Sequence, residues 1–516
     1  MRSASDMTTV KSSGTPRVLF VSAEAFPLAK TGGLGDVSAA LPAALASLGV
    51  DIRLMLPGYP QALDLLRDKK CVATLDHLPG NGRLIEGRTP DTGLPVYLFD
   101  APALFGRAGS LYRDSEDREW PDNHLRYAAF CHAAAAVAAG AAGLAWRPDI
   151  VHANDWHTGL VPAILAGRKG ARPATLFTVH NMAFQGTFPL AAAHDLGLPP
   201  EMLTTDGIEF FGQASFLKAG IRYSDRLTTV SPTYAKEILT PKYGCGLEGL
   251  LQARADDLVG ILNGVDYNIW DPSVDTVLPS QYKTDDLSGK RTCKAAIQAT
   301  LGLEASDAPL IIFVNRLTHQ KMADVLLNAL PMILESGAQF VLHGRGDHSL
   351  EAAFTAAARD HAPRFAARIG YEEHFARRLT AAADMSLTAA RFEPCGLTTM
   401  YAMRYGALPI TRHVGGVTDT VVDAESETAD DEGATGFVFD DETPEAMAAC
   451  VRRASHWFHN RDWTGVQQSA MRRDFGWERS AQRYLDLYHE LRPAGLVPRL
   501  LSATDHRARN TDRIAA

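Results

Sequence analysis

Short β-branched runs alternate with alanine- and leucine-rich stretches through most of the chain. RVLFVSA (17–23) reads as a buried strand. After a loop, DVSAALPAALASLG (36–49) sets Val37, Leu41, Leu45 and Leu48 on one helical face, with Gly49 as a natural stop. VDIRLMLP (50–57), LPVYLFDA (94–101), PDIVHAND (148–155) and ATLFTVHN (174–181) repeat the strand pattern. In DRLTTVSPTYAKEI (225–238) a strand leads into a helix capped by Ser231, with Pro232 in its first turn. Alternation of this kind predicts a parallel sheet covered by helices on both faces.

The pattern pauses in a turn-rich connection at GILNGVDYNIWDPSVD (260–275) and then restarts. PLIIFVN (309–315), AQFVLHG (338–344), RFAARIGY (364–371), ADMSLTAA (383–390) and ALPITRHV (407–414) are further strands with helical segments between them. The expected organisation is a loose tail over 1–16, an α/β domain over 17–265, a second over 266–476, a last helix over 477–492 and a loose end over 493–516. Ligands bind open parallel sheets at the carboxyl ends of their strands. Lys30, Asp155 and His180 occupy such positions in the first half, and Arg316, Lys321, Glu393, Gly415 and Gly416 in the second. Two sheets with these edges facing each other would enclose one deep cleft.

A chain of 516 residues is too long for one core, which agrees with two domains. Hydrophobic residues make up 46% and charged residues 22%, with a formal net charge of −9. That balance is ordinary for a soluble globular protein and argues against nucleic acid or an anionic membrane as the main partner. The six cysteines are scattered and form no CxxC, which suits reduced thiols in a cytoplasmic protein. The first 16 residues lack the apolar core of a secretory signal. The uncharged run 128–146 is long enough to span a bilayer, but its alanine-rich composition predicts a helix buried in a domain core.

The candidate chemistry lies in loops. KTGG (30–33) places Lys30 beside Gly32 and Gly33 before a helix, an arrangement suited to an oxyanion or phosphate, the alternative being a tight loop with a solvated lysine. NRLTHQK (315–321) carries Arg316 and Lys321, either surface charges or a cationic cradle for a diphosphate. No metal-binding pair of aspartates follows a strand, so side-chain cations are expected to meet leaving-group charge and no metal is expected. In RFEPCGLTTMYAMRYG (391–406), Glu393 precedes a helix whose first N–H groups, at Gly396, Leu397 and Thr398, would point at a phosphate. Asp155 reads as a sugar ligand beside Trp156 or as a helix cap; His180 and Tyr371 each read as a ligand group or a structural one. No GxGxxG follows the first strand, which disfavours a nicotinamide enzyme.

Taken together and in order, KTGGLGDV (30–37), HANDWHTGLVP (152–162), TVHNMAFQG (178–186), GQASFLKAGIRYSDRLTTVSPTYAKEI (212–238), GILNGVD (260–266), RLTHQK (316–321), FEPCGL (392–397) and YGALPITRHVGGVTDTV (405–421) closely resemble the bacterial glycogen synthase and plant starch synthase family. The resemblance covers about residues 17–490. It implies an α/β protein of two Rossmann-like domains facing across a cleft, the GT-B glycosyltransferase fold. The implied reaction is transfer of glucose from ADP-glucose to the non-reducing 4-hydroxyl of an α-1,4-glucan such as glycogen, with retention and without cofactor. Carried over by motif, Lys30, Gly32, Gly33 and Asp36 lie near the donor. Arg316 and Lys321 hold the diphosphate, and Glu393 contacts the donor glucose. Asp155, His180 and Asn263 line the sugar pocket. Cys395, Gly396, Leu397 and Thr398 form the phosphate-facing turn, and Tyr371 stacks on adenine. The chain departs from the family pattern at Asn315, Met322, Ala389, Ala390 and Thr399. Tyr401 stands where related transferases carry a second glutamate. Alternatives within reach of the same motifs are another nucleotide-sugar donor, or a catalytically silent glucan-binding homologue.

Overall fold

The computed structural model describes residues 14–491 except 77–79 and 427–432. Most of the expected tail 1–16, and all of the expected end 493–516, lie outside the described residues.

The first domain is built on a nine-stranded sheet. Its strands are β1 (Arg17–Val21), β2 (Asp51–Pro57), β3 (Arg67–Leu75), β4 (Gly82–Arg88), β5 (Pro95–Asp100), β6 (Ile150–Asn154), β7 (Ala174–Val179), β11 (Arg226–Thr229) and β12 (Leu258–Gly260). A small antiparallel sheet of β8 (Thr187–Pro189), β9 (Glu209–Phe210) and β10 (Gln213–Ser215) lies outside it. The order in the large sheet is β12-β11-β7-β6-β1-β2-β5-β4-β3. The pairs from β12 to β5 are parallel, whereas β4 pairs antiparallel with both β5 and β3. The expectation of a wholly parallel sheet is therefore corrected at this edge. β3 is mostly exposed and polar, so it carries no continuous apolar run that would mark it as a strand.

The second domain has a six-stranded, wholly parallel sheet: β13 (Leu310–Val314), β14 (Gln339–Gly344), β15 (Phe365–Ile369), β16 (Met385–Leu387), β17 (Leu408–Arg412) and β18 (Phe437–Phe439). Its order, β15-β14-β13-β16-β17-β18, is the 3-2-1-4-5-6 arrangement of a Rossmann domain.

Local signals explain the helices that frame the cleft. Ser231 accepts from the Tyr234 N–H with Pro232 in the first turn, a capped start. Gly49 ends the first helix, Gly33–Ser47, at φ +89°. Val37, Leu41 and Leu45 are buried on its inner face, but Leu48 falls past its end and is 40% exposed. The apolar run 128–146 is not one helix. The helix is Asn123–Ala138, and Gly140 at φ +75° turns the chain away. Nearly every side chain of that helix is buried, and no helix among the described residues is long and apolar enough to cross a membrane.

The helix Trp477–Glu490 packs on the first domain's core through Trp477, Ala481, Tyr484 and Tyr488. Tyr488 Oη lies 2.8 Å from His152 Nδ1, inside β6. At the connection between the domains, the Val265 N–H donates to Phe475 O at 2.7 Å. Gly264 lies so close to Trp477 that an added Cβ would sit 2.6 Å from its ring.

Candidate active site

The parallel strands of each sheet reverse their order once, and both reversals open into the cleft. In the first domain the reversal falls between β1 and β6, in the second between β13 and β16. Loops leaving neighbouring strands in opposite directions part there and leave a crevice. The loop after β1 carries Lys30, the loop after β6 carries Asp155, the loop after β13 carries Arg316 and Lys321, and the loop after β16 carries Glu393. Hydrogen bonds join the facing edges. Ser231 Oγ donates to Pro394 O at 2.7 Å, Thr233 Oγ1 to Asp419 Oδ1 at 2.8 Å, and the Gly415 N–H to Glu237 Oε1 at 2.9 Å.

The loop after β1 is organised by a residue that the motifs did not single out. Glu24 is buried, and its carboxylate accepts from Thr31 Oγ1 at 2.6 Å, from the Thr31 N–H at 2.7 Å and from the Gly32 N–H at 3.2 Å. Tyr112 Oη donates to the same carboxylate. The N–H groups of Thr31 and Gly32 are thus directed at the Glu24 carboxylate, so of the two glycines expected beside a phosphate the N–H of Gly32 is already engaged. An acid three residues past the first strand was the available signal. Gly35 has no room for a side chain, since a Cβ there would lie 2.9 Å from Lys30 Cγ. Gly33 begins the helix and faces the other domain, where its Cβ position is 3.1 Å from Leu397 Cδ1.

Lys30 Nζ bonds Asp36 Oδ1 at 2.7 Å and reaches across the cleft to Glu373 Oε2 at 2.9 Å. Burial disfavours its charge, but Asp36 and Glu373 outweigh burial and hold the ammonium well above the ordinary lysine range. Burial pushes Asp36 up to about 6 against the pull of Lys30, with Glu373 and Glu24 adding to the rise. Glu373 begins the helix Glu373–Ala382, two residues after Tyr371, and lies outside every motif that marks the site.

On the second domain, Lys321 Nζ and Glu393 Oε2 form a short, mostly buried ion pair. Arg316 is exposed at the cleft, its guanidinium 5.8 Å from the Phe184 ring of the first domain. Glu393 is fixed by its backbone, since its carbonyl accepts from the Gly416 N–H at 3.0 Å and leaves Gly415 no space for a Cβ. Gly396 adopts φ +84° and starts the helix Leu397–Arg404, so the N–H groups of Leu397 and Thr398 have no intrahelical acceptors, while that of Thr399 already donates to Gly396 O at 3.0 Å. Cys395 is buried beside Asn263, and burial raises its thiol to about 12. Asn263 is itself buried, with its Oδ1 unpartnered. Tyr371 lies in the loop after β15, 55% exposed and parallel to the His343 ring at 6.0 Å.

Asp155, His180 and His157 form the opposite wall. Asp155 precedes a 3-10 turn, Trp156–Thr158, without capping it through its side chain. Instead its Oδ1 accepts from the His180 N–H at 3.2 Å. Burial pushes its carboxyl up to about 7. His180 Nε2 lies 3.1 Å from Asn154 Oδ1, and burial lowers its imidazole to about 3. His157 is buried, stacked on Tyr112 at 4.7 Å, and its Nδ1 has no partner.

Most of the family departures have a structural account. Met322 adopts φ +52°, the left-handed region where the family's usual glycine is unstrained, and its side chain is fully buried in the second domain's core. Ala389 and Ala390 are buried, and Thr399 Oγ1 donates to Thr388 Oγ1 at 2.9 Å. Tyr401 lies flat on Trp270, 3.9 Å between ring centroids, and offers no carboxylate. Nothing in the structure explains Asn315.

Comparison with known proteins agrees over most of the chain. Residues 17–253 match the starch synthase catalytic domain family, and residues 308–456 match glycosyl transferases group 1. The chain is 54% identical to a glycogen synthase of Burkholderia thailandensis over 92% of this chain and 90% of that protein. It is 51% identical to one from Paramagnetospirillum magneticum, over 92% and 97% respectively. The catalytic domain of starch synthase IV from Arabidopsis thaliana, solved bound to ADP and acarbose, superposes with a TM-score of 0.84 at 30% identity, covering 93% of this chain and 99% of that one. The two facing Rossmann domains are the GT-B fold, and the chain belongs to the glycogen and starch synthase family of glycosyltransferases.

Proposed function

We propose that the protein transfers glucose from ADP-glucose to the non-reducing 4-hydroxyl of an α-1,4-glucan, with retention of configuration, in the cytoplasm. The observation that carries this reading is the placement of Lys321, Glu393 and the Leu397–Arg404 helix start at the strand reversal of the second domain, opposite Lys30. A diphosphate laid on that helix start would meet its free N–H groups, Lys321 and Arg316. These groups stabilise the negative charge that grows as the sugar–phosphate bond breaks, and they do so without a metal ion. Adding a chelator of divalent cations should leave the rate unchanged.

Glu393 meets the glucose near its reacting carbon, where its carboxylate offsets positive charge developing on the ring. Asp155 and His180 act on the sugar hydroxyls from the opposite wall. His180, with its low basicity, works as a neutral hydrogen-bonding group. The departing diphosphate lies on the face from which the acceptor enters and takes the proton of the 4-hydroxyl. That same-face geometry is what retention requires. The ADP-bound starch synthase supports an adenine nucleotide donor, and the exposed ring of Tyr371 supplies a stacking surface for it.

The test is incorporation of labelled glucose into glycogen from ADP-glucose, with UDP-glucose alongside. We expect incorporation from ADP-glucose at a kcat/KM at least about tenfold higher, a margin that one good base-specific contact supplies. Absence of incorporation at every donor concentration overturns the activity. Equal or better use of UDP-glucose overturns the donor.

A further inference from the structure

Two of the few large apolar side chains exposed among the described residues stand on one wall leading out of the cleft. Phe184 is 45% exposed and faces Arg316 across the cleft mouth. Phe211 is 83% exposed at the tip of the hairpin between β9 and β10. A chain of contacts links them. Gln185, next to Phe184, donates from Nε2 to Cys245 O at 2.8 Å. At the following residue, Gly246, a Cβ would sit 3.3 Å from the Phe211 ring. The Leu217 N–H and Ser215 Oγ both donate to Gln185 O, tying the 184–186 loop to the end of the hairpin.

Phe211 is also held in an unfavourable backbone state. Its φ is +50°, a region costly for a bulky aromatic side chain. The hairpin is fixed there by the Gly212 N–H donating to Glu209 Oε1 at 2.6 Å and by edge contact of the ring with Phe210 at 4.7 Å. A rigid ring presented to solvent, two residues from the exposed Gln213, is too small a patch for a protein interface. It matches the chemistry of a glucan chain, in which each ring offers a flat C–H face and a rim of hydroxyls.

Resting on the glucan acceptor proposed above, we infer that Phe184 and Phe211 form an acceptor ledge. It binds inner glucose units of a long α-glucan after the chain leaves the cleft at Phe184. The reacting end is held by the cleft alone, so a short acceptor never reaches Phe211.

Phe211→Asn removes the ring while tolerating the left-handed backbone, and Phe211→Tyr keeps the ring. We expect Phe211→Asn to raise KM for glycogen about fivefold, the loss of one aromatic contact. Its kcat, its KM for ADP-glucose and its KM for maltotriose should stay at wild-type values, and Phe211→Tyr should retain tight glycogen use. An unchanged KM for glycogen in Phe211→Asn overturns the ledge. So does an equal rise for maltotriose, which would mean that the hairpin shapes the cleft itself. Failure of the wild type on both acceptors would overturn the proposed reaction instead.

Discussion

On the second-domain wall of the cleft, Lys321 and Glu393 meet as a charged pair beside an open helix start. On the first-domain wall, burial drives Asp155 up to about 7 and His180 down to about 3, both toward their neutral forms. Both walls are reversals between parallel strands, so topology alone does not separate them. The difference lies in desolvation without a compensating charge: Asp155 is buried and His180 half-buried, with no opposite charge beside either. A diphosphate needs the charged wall. Sugar hydroxyls need groups that donate and accept without bringing a competing charge. Lys30 is the exception, a cation of the neutral wall whose bond to Glu373 spans the cleft.

Glu393→Gln strikes the charged wall directly. The amide keeps the side chain's size and leaves Lys321 without its carboxylate. We expect kcat to fall on the order of 100-fold with little change in thermal unfolding. A kcat near wild type would mean that the carboxylate serves only to neutralise Lys321.

Lys30→Gln tests the exception. We expect kcat/KM for ADP-glucose to fall about tenfold through the donor KM, because a cation held by two carboxylates is given up to the diphosphate on binding. A fall confined to kcat would move Lys30 from donor binding to the transition state.

Asp155→Asn addresses the neutral wall through pH. A carboxyl that ionises near pH 7 when folded and near 3.9 when unfolded favours the folded state most fully at low pH. That stability is lost as pH rises through the window between those values. The unfolding temperature of Asp155→Asn relative to wild type should therefore climb from about pH 4 to about pH 7 and level off above. A flat difference would show that the wall tolerates the charge.

Met322→Gly has the smallest expected effect on chemistry. Relief of the left-handed strain contributes about 1 kcal/mol, while loss of a fully buried methionine costs about 2–5 kcal/mol. Unfolding should come several degrees earlier with kcat at saturating donor unchanged. A stabilised variant would show that the core closes over the gap.

Much of the charged wall was legible in the chain because its signals are local. Glu393, Cys395 and Gly396 are neighbours, and Arg316 and Lys321 share one loop. Tyr112 and Glu373 were not legible, since an isolated tyrosine or acid has no periodicity or spacing to mark it, and Glu24 offered only its place three residues past the first strand. The antiparallel edge was missed for a related reason. β3 is polar and exposed, and its pairing with β4, not its own pattern, makes it a strand.

By itself, then, the sequence determined two α/β domains, their strand ends and the order of the loops that carry chemistry, because hydrophobic period, caps and turns act over a few residues. Only the tertiary structure decided what those loops meet. The bond from Lys30 to Glu373 spans 343 positions, and that from Tyr112 to Glu24 spans 88. The ionisation of Asp155 and His180 belongs to the same category. It depends on how much water the surrounding chain removes, and no spacing along the chain encodes that.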